Sequence, residues 1–170
     1  MIKLMVENQT RSRLPSRLAL SFWLKTTLAM LKPKLKEGRI ELFFITPLKI
    51  KKLNKLYRGQ DKITDVLSFS FIEGPRFPND DLIGQIFIAP DRAKKQASQH
   101  GVAWKEELEF LFVHALLHVF GYDHENAPDF RKMFGLQAQI MPGRKWANFV
   151  NQIHLEHFGG RDAEEGHHGQ

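Results

Sequence analysis

The chain of 170 residues is 42% hydrophobic and 26% charged, which is ordinary for a globular domain with a sizeable core. It has no cysteine, so disulfide bonds and thiolate metal ligands are excluded, and its formal net charge is +6. No stretch approaches the roughly 18 apolar residues of a membrane span, and the first residues lack the apolar core of a signal peptide. We therefore predict a cytoplasmic protein with one domain over residues 1–158 and a polar, disordered tail over residues 159–170.

The first part of the chain predicts two strands, each followed by a helix. Residues 2–6 alternate weakly as a strand, and residues 16–31 repeat apolar side chains at helical spacing until Pro33 ends the pattern. Residues 39–46 alternate as a half-buried strand. Residues 47–59 open on a proline, which suits the first turn of a helix that continues to the glycine.

The second part of the chain predicts two strands and then three helices. In chain order the elements are a strand over 64–71, a loop over 73–81, a strand over 82–89, a helix over 90–100, a histidine-bearing helix from about Trp104, and an interrupted helical stretch over 129–158. The resulting order, β-α-β-α-β-β-α-α-α, predicts an α+β domain in which helices pack against one mixed four-stranded sheet.

The stretch His114-Ala-Leu-Leu-His118-Val-Phe-Gly121-Tyr-Asp-His124 closes the histidine-bearing helix. His114 and His118 are four residues apart and therefore lie on one helical face. Gly121 suits a left-handed helix end, after which the chain can turn back and bring His124 towards the other two imidazoles. Three neutral imidazoles hold a zinc-type cation and leave the fourth position open for water, as in catalytic metal sites.

A structural role for these histidines is the alternative. The helix is apolar nearly all round and is therefore expected to be buried, and a single histidine in such a helix is usually a core residue bonded to the backbone. Two histidines at helical spacing and a third beyond a glycine are difficult to satisfy in a core without a shared partner. The pattern favours a metal site at the end of a buried helix.

Basic residues are concentrated in one segment of the chain. Residues 25–62 contain eleven lysines and arginines but only three acidic residues. This excess suits a phosphate-rich partner, although a solvated face balanced elsewhere in the protein is an equally good interpretation of charge alone. An anionic membrane surface is less favoured, because the basic residues spread over several predicted elements.

A second polar cluster, residues 53–69, lies at a predicted junction of helix and strand. Arg58 offers a planar fork of donors suited to a phosphate. The alternative is a basic helix end followed by a turn in which aspartate and threonine cap backbone amides.

Together, the polar cluster and the histidine stretch resemble the YbeY family of bacterial metal-dependent endoribonucleases. The pattern of that family runs approximately N-x-x-Y-R-x-x-D-x-x-T-D-V-L-S-F, then L-G-D-I, then H-G-x-L-H-L-x-G-Y-D-H. The matching residues are Asn54, Tyr57, Arg58, Asp61, Thr64, Asp65, Val66, Leu67, Ser68, Phe69, His114, Leu117, His118, Gly121, Tyr122, Asp123 and His124. The resemblance extends over the chain to about residue 150.

The chain departs from that pattern in both the histidine stretch and the L-G-D-I motif. Ala115 replaces a glycine and Val119 a leucine, and both are small changes. Gln85 replaces the usual acid in the L-G-D-I motif, so any role of that carboxylate is in doubt in this chain.

The resemblance implies a single-strand-specific RNase that takes part in maturing the 3′ end of 16S rRNA and in ribosome quality control. Its partners would be RNA, in particular 16S rRNA, and the ribosome or its small subunit. His114, His118 and His124 would hold one metal ion, expected to be Zn²⁺ although other divalent metals fit, and Arg58 would contact the RNA phosphate as the catalytic residue.

From the residues alone, a three-imidazole zinc can lower the pKa of its water to about 7 and polarise a phosphoryl oxygen, while Arg58 neutralises developing charge. The sequence does not decide whether the nucleophile is that water or the RNA 2′-hydroxyl. Asp61, Asp65 and Asp123 are candidates for the general base, and each has a structural alternative as a cap, a turn residue or a partner of a histidine.

Two other functions compete with the nuclease. The histidine spacing also fits the H-E-x-x-H-x-x-G-x-x-H pattern of metalloproteases, but Ala115 stands where those enzymes have their glutamate base. A non-enzymatic assembly factor that docks on rRNA with a structural metal needs only charge and shape. An open set of three histidines argues against it, because structural zinc sites usually close with four ligands.

Overall fold

The computed structural model describes residues 1–73 and 80–143. The chain divides into two compact units, Met1–Gly121 and Tyr122–Gln170. The predicted tail, the end of the predicted helical stretch over 129–158 and most of the loop predicted over 73–81 lie outside the described residues. The single domain over residues 1–158 stays a prediction.

The first unit carries four strands and four helices among its described residues. They are β1 (Ile2–Asn8), α1 (Arg17–Leu31), β2 (Gly38–Phe44), α2 (Pro47–Arg58), β3 (Val66–Ser70), β4 (Leu82–Ile88), α3 (Pro90–His100) and α4 (Trp104–Val119). The described part of the second unit contains α5 (Ala127–Ile140). This order confirms the predicted sequence of strands and helices.

The four strands form one mixed sheet in the order β1-β2-β4-β3. β1 pairs with β2 and β2 with β4 in parallel, whereas β3 pairs with β4 in the antiparallel direction. The predicted α+β architecture with a mixed four-stranded sheet is confirmed. Because β1, β2 and β4 are parallel, their carboxyl ends meet at the same edge of the sheet.

The two faces of the sheet are covered by different helices. Successive residues of a strand point to opposite faces, and on one face α4 packs against β3 and β4 and is flanked by α1 and α3. On the other face a smaller apolar cluster joins Ile50 of α2 to Leu67 of β3 and Phe87 of β4. The edge strand β3 therefore contacts α2 on one side and α4 on the other.

Helix α4 is the central element of the first unit. Leu108, Phe112 and Leu116 are fully buried, and further residues on the other sides of α4 are buried as well. The buried helix predicted from the apolar run is therefore confirmed. Each such side chain contributes about 1.5–3 kcal/mol by leaving water. None of the helices that the structure describes has the length and apolar character needed to cross a membrane.

The last turn of α4 lies close to the sheet because β4 has a glycine there. A Cβ built on Gly84 would come within 2.6 Å of Cγ1 of Val119, the final residue of α4, and within 3.3 Å of the carbonyl oxygen of Phe69. The hydroxyl of Ser70 on β3 donates a hydrogen bond of 2.8 Å to the carbonyl oxygen of Val119. These contacts fix the helix end that carries the histidines.

We predict that Gly84→Ala destabilises the protein by about 1–3 kcal/mol, because the added methyl group overpacks the contact with Val119. Adding Val119→Ala removes the clashing methyl groups and should recover part of this loss. Urea unfolding of the two single variants and the double variant measures the coupling. Gly135→Ala, where a Cβ meets nothing within 4 Å, is the control. Strictly additive free energies would contradict the proposed contact.

Candidate metal centre

Two of the candidate ligands lie on the last turns of α4. The Nε2 atoms of His114 and His118 are 3.2 Å apart, and their rings are 4.8 Å apart between centroids at an angle of 79°. Both side chains are half-buried, and the His114 ring stacks on Phe110 at 6.2 Å. The two imidazoles therefore present ring nitrogens to a common point.

The chain turns immediately after these histidines. The amide of Gly121 donates to the carbonyl oxygen of His118 at 3.0 Å, and Gly121 has a φ of 86°, in the left-handed region that favours glycine. The predicted left-handed helix end is confirmed. Three residues further on, the amide of His124 donates to Oδ1 of Asp123 at 2.7 Å.

The candidate ligand atoms of His114, His118 and His124 all lie within 4.8 Å of one another. The predicted convergence of three imidazoles within this short segment is confirmed. Their role as metal ligands is not tested by the arrangement itself and stays a prediction.

The spacing of the histidine pair fits a bound cation. In a tetrahedral zinc site with zinc–nitrogen distances of about 2.0–2.1 Å, neighbouring ligand nitrogens lie roughly 3.3 Å apart. The Nε2 atoms of His114 and His118 are separated by 3.2 Å. Imidazole nitrogens suit zinc and also copper, iron and nickel, so this donor set fits a divalent metal without selecting one.

Arg58 lies on a different element, as the exposed last residue of α2. The helix ends at Gly59, which has a φ of 68°. The buried side chain of Asn54 donates to the carbonyl oxygen of Lys62 at 2.9 Å and so ties the following loop back to the helix. The role of Arg58 as a donor fork for a phosphate stays a prediction.

The edge strand β3 connects the end of α2 to the end of α4. The ring of Tyr57 packs edge-on against Phe69 of β3 at 5.0 Å, and the next residue, Ser70, bonds to Val119. Because Phe69 and Ser70 point to opposite faces, Arg58 and the histidine pair of α4 flank β3 from opposite sides of the sheet. The structure therefore gathers the histidines and places the arginine beyond the edge strand.

All three candidate bases have hydrogen-bond partners, and that of Asp123 is the amide of His124. Asp61 is exposed and pairs with Lys55 at 3.1 Å; this hydrogen bond, together with the charge of Lys51, lowers the pKa of Asp61. Asp65 accepts hydrogen bonds from the amide of Val66 and from Nε2 of Gln96, each at 3.0 Å. Asp61 thus closes the loop after α2, and Asp65 joins the start of β3 to α3.

The departure at Gln85 is accompanied by a carboxylate on the neighbouring strand. Glu41 of β2 lies directly opposite Gln85 in the sheet, and Nε2 of Gln85 donates to Oε2 of Glu41 at 2.8 Å. Arg39 completes this group through an ion pair with Glu41. Position 85 itself has no acid, but the carboxylate of Glu41 lies one strand away, on the same face of the sheet as Phe69 and Tyr57.

Glu107 is a buried acid that belongs to none of the sequence motifs. Its side chain is buried in the first turns of α4, and its Oε2 lies 3.1 Å from Nδ1 of His100 at the end of α3. Burial raises the pKa of Glu107, and the charge of Asp65 adds to this effect, while the hydrogen bond from His100 opposes it. The sequence gives little local signal for it, because Glu107 is one of three glutamates in the first turns of α4.

Comparison with known proteins gives the same family as the motifs. The sequence model of the YbeY family, described as Endoribonuclease YbeY, matches residues 5–144. Endoribonuclease YbeY of Staphylococcus saprophyticus is 40% identical over 111 residues, which cover 62% of this chain and 71% of the relative. Endoribonuclease YbeY of Ureaplasma parvum is 39% identical over 116 residues, which cover 68% and 74%.

A similar fold is known from a solved structure. The solution structure of TM1509 from Thermotoga maritima aligns over 100% of both chains with a TM-score of 0.52. Its sequence identity is 22%, so this likeness supports the fold alone.

We predict that the protein binds one equivalent of Zn²⁺ and that His118→Ala weakens this binding by more than about 100-fold, because a direct ligand is lost. Competition with a chromophoric chelator measures the affinity. His100→Gln removes a histidine from outside the group and is the control. Unchanged zinc affinity in His118→Ala would contradict the site.

Glu107 gives a pH-dependent prediction. The unfolded carboxyl ionises near its usual value of 4.5, whereas the folded carboxyl ionises only at higher pH. Between these two values the folded state binds more protons, so this group lowers the free energy of unfolding as pH rises. Relative to wild type, Glu107→Gln should gain stability from about pH 4.5 upwards until the folded carboxyl is ionised.

Urea unfolding between about pH 4 and about pH 7 measures this difference. Glu106→Gln removes one acid from the same turn of α4 and is the control. A constant difference between Glu107→Gln and wild type across this range would contradict the raised pKa.

Proposed function

The chain belongs to the YbeY family of endoribonucleases, and on that premise we propose that it is a single-strand-specific metallo-endoribonuclease. Its proposed role is in the maturation of the 3′ end of 16S rRNA and in ribosome quality control, in the cytoplasm and in contact with the small ribosomal subunit. The observation that carries the proposal is the group of three histidines whose candidate ligand atoms lie within 4.8 Å of one another.

His114, His118 and His124 would hold one divalent cation, which we propose to be Zn²⁺. When bound, the cation supplies Lewis acidity that polarises a phosphoryl oxygen and activates water. The imidazoles must be neutral to bind it, so binding is lost as they become protonated. The carboxyl end of α4 carries a partial negative charge, which favours a cation beside His114 and His118.

Arg58 would contact an RNA phosphate. Its guanidinium is exposed at the end of α2, and this helix also carries four lysines but no acidic residue. A guanidinium donates two parallel hydrogen bonds to a phosphate and offsets charge that develops on its oxygens. Because Arg58 and the histidine pair flank β3, an RNA strand that contacts both would cross this edge strand.

The metalloprotease alternative has less support. Ala115 follows the first histidine and is fully buried, so no side chain at this position can move a proton. The lysine-rich α2 has no evident use in peptide hydrolysis. The assembly-factor alternative differs from the nuclease in one respect, since it requires RNA binding without cleavage.

We predict that the zinc-loaded protein cleaves single-stranded RNA and that Arg58→Ala lowers kcat about 10²–10³-fold, because one donor to the phosphate is lost. His114→Ala should abolish cleavage, as should removal of the metal by a chelator. A fluorescent single-stranded RNA, with its duplex form beside it, measures the rates.

Lys52→Ala removes another exposed cation from α2 and is the matched control for Arg58→Ala. Casein in a parallel reaction tests the protease alternative. Cleavage that persists in both Arg58→Ala and His114→Ala would point to a contaminating nuclease. RNA binding without cleavage by the zinc-loaded wild type would favour the assembly factor.

A further inference from the structure

A basic cleft of about 860 Å³ lies in the first unit, away from the histidines. It is formed where the carboxyl ends of β1 and β2 meet the beginnings of α3 and α4. Its lining residues are Gln9, Thr10, Arg11, Ser12, Arg13, Thr46, Asp91, Lys94 and Trp104. We call it the β1-end cleft.

The charge of the β1-end cleft is positive. Arg11, Arg13 and Lys94 are exposed cations, against the single acid Asp91. Within the described ranges, none of the three cations forms an ion pair with a carboxylate. Lys94 instead lies over the ring of Trp104, with its Nζ 5.2 Å from the ring centroid. The cleft therefore offers three cationic groups to an anion.

The backbone adds to this positive potential. Thr46 is the N-cap of α2, Asp91 lies in the first turn of α3, and Trp104 is the first residue of α4. The amino end of each helix carries a partial positive charge. The amino ends of three helices thus contribute residues to the walls of the same cleft.

The loop that carries the two arginines is held in place before any ligand binds. Oδ1 of Asn8 accepts hydrogen bonds from the amide and the hydroxyl of Thr10, at 2.9 and 2.8 Å. Nδ2 of Asn8 donates to the carbonyl oxygen of Ser12 at 3.2 Å. Arg11 and Arg13 therefore project from an ordered turn, which lowers the entropic cost of binding.

We propose that the β1-end cleft is a second RNA-binding site, which holds phosphates of the substrate strand at a distance from the bond that is cut. This inference rests on the proposed nuclease function. Arg11 and Arg13 contact the phosphates, and the aromatic face of Trp104 offers a surface for a base when Lys94 moves to a phosphate. The occupant is a single strand, because bases stacked in a duplex cannot reach an aromatic wall.

Helix α4 sets the distance between this cleft and the histidines. Trp104 begins the helix, and at a rise of about 1.5 Å per residue His114 lies about 15 Å and His118 about 21 Å further along its axis. Stacked nucleotides of one strand are spaced by about 3.4 Å. A strand of roughly five to seven nucleotides spans this distance, so the cleft contributes only to longer substrates.

The test compares Arg11→Glu/Arg13→Glu with wild type on a single-stranded RNA of about 15 nucleotides. We expect the Kd, measured by fluorescence anisotropy on metal-free protein, to rise at least about tenfold. The slope of log Kd plotted against log salt concentration should become shallower by about 1.4. In cleavage, KM should rise by a similar factor while kcat stays within about twofold, because the cleft is remote from the reaction.

Lys25→Glu/Lys34→Glu is the matched control, since both lysines are exposed, lie outside the cleft and give the same change in net charge. Equal weakening by both double variants would overturn the site and assign the effect to general charge. A fall in kcat with unchanged KM would overturn it as well. If wild type binds RNA but cuts none, the proposed nuclease function fails while the comparison of Kd values still decides the cleft.

Circular dichroism shows whether the charge-reversed variant is folded. If it is not, Arg11→Ala/Arg13→Ala is the second variant for the same test. It should weaken RNA binding in the same direction but less, because it removes attraction without adding repulsion. An unchanged Kd in this folded variant would overturn the proposal.

Discussion

The burial of α4 is the constraint on which the rest of the first unit depends. The helix is apolar on nearly every side, so it is covered by the sheet and by α1 and α3. Gly84 lets its last turn approach β4, and Ser70 bonds to its final carbonyl group. The two histidines of α4 are consequently attached to a helix that is packed on nearly every side. A metal ligand must be held in such a way if its nitrogen is to keep a fixed position.

Much of this arrangement is readable from the sequence because the signals are local. Helical spacing places His114 and His118 on one face, and Gly121 marks the left-handed end that the structure confirms. The position of Arg58 is different, since it depends on which face of the sheet α2 covers. That choice follows from the strand order β1-β2-β4-β3, which no local pattern encodes. The burial of Glu107 is not predicted from the sequence for a related reason, because its partner His100 belongs to another helix.

The distribution of charge shows the same limit. Counting along the chain finds the basic excess of residues 25–62, part of which lies on α2 beside Arg58. Counting does not find the β1-end cleft, because Arg11, Arg13 and Lys94 come from segments far apart in sequence. Parallel strands bring them together at one edge of the sheet. A count of charges over consecutive residues does not detect a cluster that only the arrangement of the strands brings together.

The two ends of α4 have opposite electrostatic character, and the proposed sites follow it. At the carboxyl end, the helix dipole gives a partial negative charge that favours a cation held by histidines. At the amino end, the partial positive charge favours a phosphate held by arginines. A single buried helix of 16 residues thus sets both the kind of ion at each site and the distance between them. The length of this helix would therefore determine the shortest RNA strand that can occupy both sites.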